Sequence, residues 1–223
     1  MSYRNNDKSI CTFYEKIGAC RHGEKCSRKH VKPVSSLTIL LPNLYQNPKL
    51  NKNDGELLNP KQVQEYFDQF YKDIFIRFAS YGEIKEIVVC ENDNNHLNGN
   101  VYVKFVSIDL AIQSVMDLNT CWYNMKPVHC ELSPVENFID ANCRAYDTNS
   151  CTRGERCNFM HIRKPTNLLK YDLYQSQAKS LLMKKLLLLK QSLKDNQNDA
   201  KDKSTELDTP KSTTSMVQQL FAS

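Results

Sequence analysis

No apolar run in the 223-residue sequence approaches the roughly 18 residues that a membrane span requires, and its polar start, Met1 to Ser9, lacks the apolar stretch of a signal peptide. An intracellular chain is expected. Also missing are a nucleophile paired with a base and a glycine-rich phosphate loop, so catalysis is not expected. Charge of one sign is not in large excess, at a formal +5, but the basic residues gather around two cysteine-rich segments. Local density of that kind attracts a polyanion such as nucleic acid. The nine cysteines are an odd number, six of them stand at metal-ligand spacing, and no export signal accompanies them. Metal binding in a reducing compartment fits this better than a disulfide framework.

Cys11, Cys20, Cys26 and His30 follow the spacing C-x8-C-x5-C-x3-H, and Cys143, Cys151, Cys157 and His161 repeat it as C-x7-C-x5-C-x3-H. Gly154 precedes Cys157 as Gly23 precedes Cys26. Three thiolates and one imidazole suit a closed tetrahedral zinc site with no position left for a reactive water. Segments this short, 10–33 and 142–165, cannot build an apolar core and need the metal to fold. Zinc supplies on the order of 10 kcal/mol or more to such fingers. Two zinc ions per chain are expected, and because the sites share no ligand, loss of one should spare the rest. Cys90, Cys121 and Cys130 stand in apolar or strand-like settings, where core packing is the default.

Between the fingers, 36–135 reads as an α+β domain. Ser36 to Leu44 reads as a strand, and Tyr45 to Leu58 as a polar inserted loop with Asn-Pro and Asp-Gly turns. Asn59 and Pro60 then open a long amphipathic helix that ends near Gly82. Ile84 to Cys90 and Gly99 to Val106 are strand-like around an Asn-rich hairpin loop, Ser107 caps a second helix, and Pro127 to Leu132 supplies a last strand. The order β-α-β-β-α-β is that of ferredoxin-like and RNA-recognition (RRM) folds. Yet the third strand, Asn98 to Phe105, has Asn100 where an RRM places a base-stacking ring, and Leu40 replaces the ring of the first strand. This sheet is not expected to read RNA. Beyond the second finger, 166–194 is Leu-rich and helical, expected to pack on the protein's own domain, and 195–223 is polar enough to be disordered. The terminal Met216, Val217, Leu220 and Phe221 could form a short docking helix.

Finger, degenerate RRM, finger, with phrases such as Lys16-Ile17-Gly18-Ala19-Cys20-Arg21-His22-Gly23, Glu131-Leu132-Ser133-Pro134-Val135 and Cys157-Asn158-Phe159-Met160-His161, resembles the small subunit of the U-two snRNP auxiliary factor. The resemblance implies a nuclear, non-enzymatic subunit of a splicing heterodimer. Its fingers would hold the AG of the pre-mRNA 3′ splice site, and its central domain a peptide of the large subunit. It points to Phe13, Ser27, Arg28 and Phe159 as base contacts and to Trp122 and Tyr123 as partner contacts, while Arg21, Lys25, Arg153 and Arg156, crowded near the later zinc ligands, read from the sequence as the cations that follow the phosphates. There are two departures. Cys121-Trp122-Tyr123 lacks the arginine of the family's Arg-x-aromatic motif, and the tail has no Arg-Ser repeats. Two rival readings are a cytoplasmic CCCH-finger regulator of mRNA decay and a protein scaffold with purely structural fingers.

Overall fold

The computed structural model describes residues 9–48 and 59–205, with side chains as far as residue 194. Segments 1–8, 49–58 and 206–223 lie outside the described residues, and with them most of the inserted loop and the terminal apolar motif. The first finger contains α1 (Thr12–Ile17). The central domain runs β1 (Thr38–Leu41), α2 (Pro60–Ala79), β2 (Ile84–Cys90), β3 (Val101–Phe105), α3 (Ile108–Leu118), β4 (Trp122–Tyr123), β5 (Lys126–Pro127) and β6 (Glu131–Leu132). After it come α4 (Phe138–Ala141), α5 (Arg144–Asp147), β7 (Ile162–Arg163) and α6 (Asn167–Thr205). α2 begins as its sequence demands: the Asn59 side chain accepts from the Gln62 amide, the Gln62 side chain answers the Asn59 amide, and Pro60 occupies the first turn.

The α+β, RRM-like fold is present with one addition. The sheet has the order β6-β1-β3-β2-β7, and every pairing is antiparallel. Its fifth strand, β7, comes from the exit of the second finger and pairs through Val89↔Arg163 and Cys90↔Ile162. Strand alternation then sorts the side chains. Ile39, Leu41, Ile87, Val89, Val101, Val103 and Phe105 join Phe67, Phe70, Ile74 and Phe78 of α2 and Ala111 of α3 in the main core. Leu40, Val88, Cys90 and Tyr102 point to the opposite face, where Ile17, Phe138, Ala141 and Met160 cover them. The fingers and α4 therefore occupy the face on which an RRM receives RNA.

Several expectations change. β1 stops at Leu41, because Pro42 cannot donate to a ladder and Asn43 turns at φ 52°. The last strand is divided: Asn124 and Met125, both at positive φ, form a tight hairpin turn that pairs β4 with β5, and β6 follows separately. The last helix does not end at 194 but continues to Thr205, into the segment expected to be disordered. Only its first leucines join the core. Leu173 is buried and Leu169 and Tyr174 are partly so, but Leu182, Leu186, Leu187, Leu188, Leu189 and Leu193 are exposed. Gln177 ends the compact unit by bonding both the amide and the carbonyl of Ile84, at 2.9 and 3.0 Å. Cys90 and Cys130 are buried as expected, whereas Cys121 is only half-buried.

Candidate zinc centres and nucleic-acid interface

Each set of three cysteines and one histidine converges, with the ligand atoms of each set within 4.8 Å of one another. A zinc tetrahedron with Zn–S bonds of about 2.3 Å has S···S edges of about 3.8 Å. The observed separations are 3.7 Å for Cys11–Cys20, 3.9 Å for Cys20–Cys26 and 3.7 Å for Cys143–Cys157, with Cys151 Sγ 3.4 Å from His161 Nε2. Nε2 of His30 is buried with no hydrogen-bond partner among the described residues, as a metal ligand would be. Burial pushes the Cys20 and Cys157 thiols up to about 11, so a cation is needed to hold them as thiolates at neutral pH. The backbone of Arg153 lowers Cys151, and burial lowers His161 toward the neutral imidazole that binds metal. In both fingers a tyrosine lies flat on the ligand histidine: Tyr14 on His30 at 4.5 Å, and Tyr146 on His161 at 4.0 Å. These two rings build the zinc centres.

The central domain grips each finger differently. α1 ends at Gly18 (φ 72°), where a Cβ would lie 2.6 Å from Ser133 Oγ, so only glycine permits this approach to the sheet. The carbonyl just before it, on Ile17, accepts from the fully buried Tyr102 hydroxyl at 2.7 Å. Burial raises the Tyr102 hydroxyl well above its ordinary value, which keeps it a donor. The second finger is held by the Asn-rich loop. Asn92 donates to the Phe159 carbonyl and accepts from the His161 amide, at 2.9 and 2.8 Å, while Asn94 donates to the Cys157 carbonyl at 2.8 Å. A buried ion pair, Arg163 to Glu91 at 2.8 Å, completes the attachment; Glu91 also accepts from the Tyr146 hydroxyl, and Arg163 lies over the Phe67 ring. The sequence reads this stretch as an ordinary polar loop, yet Asn92, Asn94 and Leu97 are buried in it.

So placed, the two fingers touch. The rings of Phe13 and Phe159 meet edge to face with centroids 6.5 Å apart. The Arg21 guanidinium donates across to the Arg156 carbonyl at 3.0 Å, and Arg153 lies over the Phe159 ring. Lys25, Ser27 and Arg28 are exposed between the later ligands of the first finger, as Arg153 and Arg156 are in the second. Phe13 is 40% exposed, so part of the residue stays open to solvent. On the other side of the domain, the Tyr123 ring packs on Phe70 and closes one wall of a cavity of about 290 Å³ shared with Tyr66, Gln69 and Asp73. Trp122, next to it, is 71% exposed, which excludes a core role.

The family description "Zinc finger C-x8-C-x5-C-x3-H type (and similar)" matches residues 6–32 and 140–163. The sequence is 50% identical over 177 residues to the splicing factor U2AF 23 kDa subunit of Schizosaccharomyces pombe, covering 79% of this chain and 82% of that protein. The chain belongs to the U2AF small-subunit family of splicing factors. The U2AF 26 kDa subunit of Bos taurus is 48% identical, covering 75% of this chain and 79% of that one, and the U2af 38 kDa subunit of Drosophila melanogaster is 45% identical over 78% and 69%. Among solved structures, "Structure of RNA15 RRM" is similar over 44% of this chain and 91% of that one, at 12% identity and TM-score 0.29.

Cys121 stands in place of an arginine that the U2AF small-subunit resemblance implies. A guanidinium is nonetheless close by. Arg77, on α2, reaches Cys121 Sγ at 3.6 Å and the Tyr81 hydroxyl at 3.0 Å, with its charge over the Tyr81 ring. No motif flags Arg77, because it comes from another element and meets the loop only through the fold.

Proposed function

We propose that this chain is the RNA-binding subunit of a nuclear splicing heterodimer, in which both fingers together hold the AG of a 3′ splice site and the groove beside α2 holds the large subunit. The observation that carries the first half is the contact between Phe13 and Phe159. Rings on separate fingers, at one junction that Arg21, Arg153 and Arg156 join, with exposed Lys25 and Arg28 on the first finger, suit one short single strand rather than two independent ones. Phe13, Phe159 and the planar guanidiniums stack on splayed bases, Ser27 offers a hydroxyl to a base edge, and the remaining cations follow the phosphates. The second half rests on the cavity lined by Tyr66, Phe70, Asp73 and Tyr123, on the exposed Trp122 next in the chain, and on Arg77 beside Cys121, with Asp73 and Arg77 able to pair with charges of a peptide.

Crosslinking of the protein to cellular RNA, followed by sequencing, tests this reading. Reads concentrated at intron 3′ ends are expected, and Arg28→Ala should relax the preference for AG. Reads concentrated in 3′ untranslated regions would instead indicate mRNA decay, and no crosslinks with partner binding intact would make the fingers structural. Capture of the large splicing subunit by the full chain, lost on Trp122→Ala, tests the groove.

A further inference from the structure

α6 carries an apolar seam that neither zinc nor RNA binding uses. Beyond Gln177 the described helix belongs to a second unit, and in it Leu182, Leu186, Leu189 and Leu193 are exposed by 68, 44, 53 and 61%. Steps of four, three and four residues place them along one line of the helix, at the a and d positions of a heptad pattern. An exposed leucine line of this kind marks a contact surface. Its borders decide what can cover it. Lys185 and Lys190 stand at the flanking g and e positions, Lys179 takes the preceding a position, and no acidic residue occurs from Leu173 to Lys194. A second copy of the helix, packed in parallel, would set Lys185 of each against Lys190 of the other. Packed antiparallel with its leucines matched, it would set Lys185 against Ser192 and Lys190 against Met183, so no opposite charge supports that pairing either. A membrane surface fits no better, because Lys184, Lys185, Lys190 and Lys194 fall on all sides of the helix and leave no broad apolar face.

We propose that residues 178–194 dock an acidic amphipathic helix of another protein as a short two-stranded coiled coil, with Leu182, Leu186, Leu189 and Leu193 as its seam. Glutamates flanking the partner's seam would meet Lys185 and Lys190, so the charges that oppose self-pairing select the partner. The proposal does not rest on the RNA reading.

The test uses the full, zinc-loaded chain and two fluorescent three-heptad peptides, both with leucine at a and d, one with glutamate and the other with lysine at e and g. Fluorescence anisotropy should show saturable binding of the glutamate peptide, at least about tenfold tighter than the lysine peptide. Lys185→Glu together with Lys190→Glu should invert that preference. Leu186→Gln with Leu189→Gln should abolish binding while circular dichroism, zinc content and RNA affinity stay unchanged. Equal binding of both peptides by the wild-type chain would overturn the proposal. So would a dimer of the free chain in sedimentation that Leu186→Gln dissolves, or uptake of the helix only by phosphatidylserine vesicles.

Discussion

Asn100 replaces a base-stacking ring, but it is a structural residue in its own right. It is buried, accepts from the Asn43 amide at 3.1 Å and donates to the His96 carbonyl at 3.0 Å, fastening the strand to two turns. Restoring a ring by Asn100→Phe should therefore cost roughly 1–3 kcal/mol for each group left unpaired, measured by urea unfolding. It should not give the sheet RNA affinity, because Tyr102 still lies under Ile17 and Phe138. A sheet that gained RNA binding on this change would mean that the ring, not the covering, is what is missing. The Glu91–Arg163 pair gives a second test. Both side chains are close to fully buried, so Arg163→Met strands a carboxylate and should destabilise by about 3–5 kcal/mol. Adding Glu91→Leu should recover much of that loss. A double variant as unstable as Arg163→Met alone would show that the guanidinium acts through its packing on Phe67 rather than through charge.

At the level of elements, the fingers serve as a lid on the sheet as well as metal sites. Chelation at neutral pH should uncover Leu40, Val88, Tyr102 and Phe138 and raise binding of a hydrophobic dye, while the core between the sheet and α2 persists. This revises the expectation that each finger folds apart from the domain: His30→Ala should expose part of the sheet along with its own finger. Unchanged dye binding after complete zinc removal would show that α1 and α4 hold the face without metal. The zinc ligands were legible because thiolates and imidazoles must recur at fixed spacing to close a tetrahedron, and α2 and α3 because caps and periodicity are local. The clamp of Asn92 and Asn94 was not. Its partners are main-chain groups more than sixty residues away, and a carbonyl leaves no trace in a sequence. Short strands such as β7 failed for the same reason, since two residues carry no period.

For the whole molecule, the decisive question is whether the two fingers act as one site. Independent fingers would lose affinity for an AG-ending RNA additively when Phe13 and Phe159 are each replaced by alanine, with each loss on the order of 1–3 kcal/mol per stacked base. Here the rings touch, at 6.5 Å between centroids, and Arg21 ties the first finger to the backbone of the second. Removing either ring loosens the other, so the second loss should be smaller once the first has occurred, with a coupling of roughly 0.5–3 kcal/mol in a double-mutant cycle. Arg21→Ala should shrink that coupling without removing either ring. Zinc content and circular dichroism need to stay constant across the series for the cycle to report on RNA. Strict additivity, with both single losses intact, would mean that the fingers contact separate nucleotides and that their contact serves only to fix the spacing set by the sheet between them.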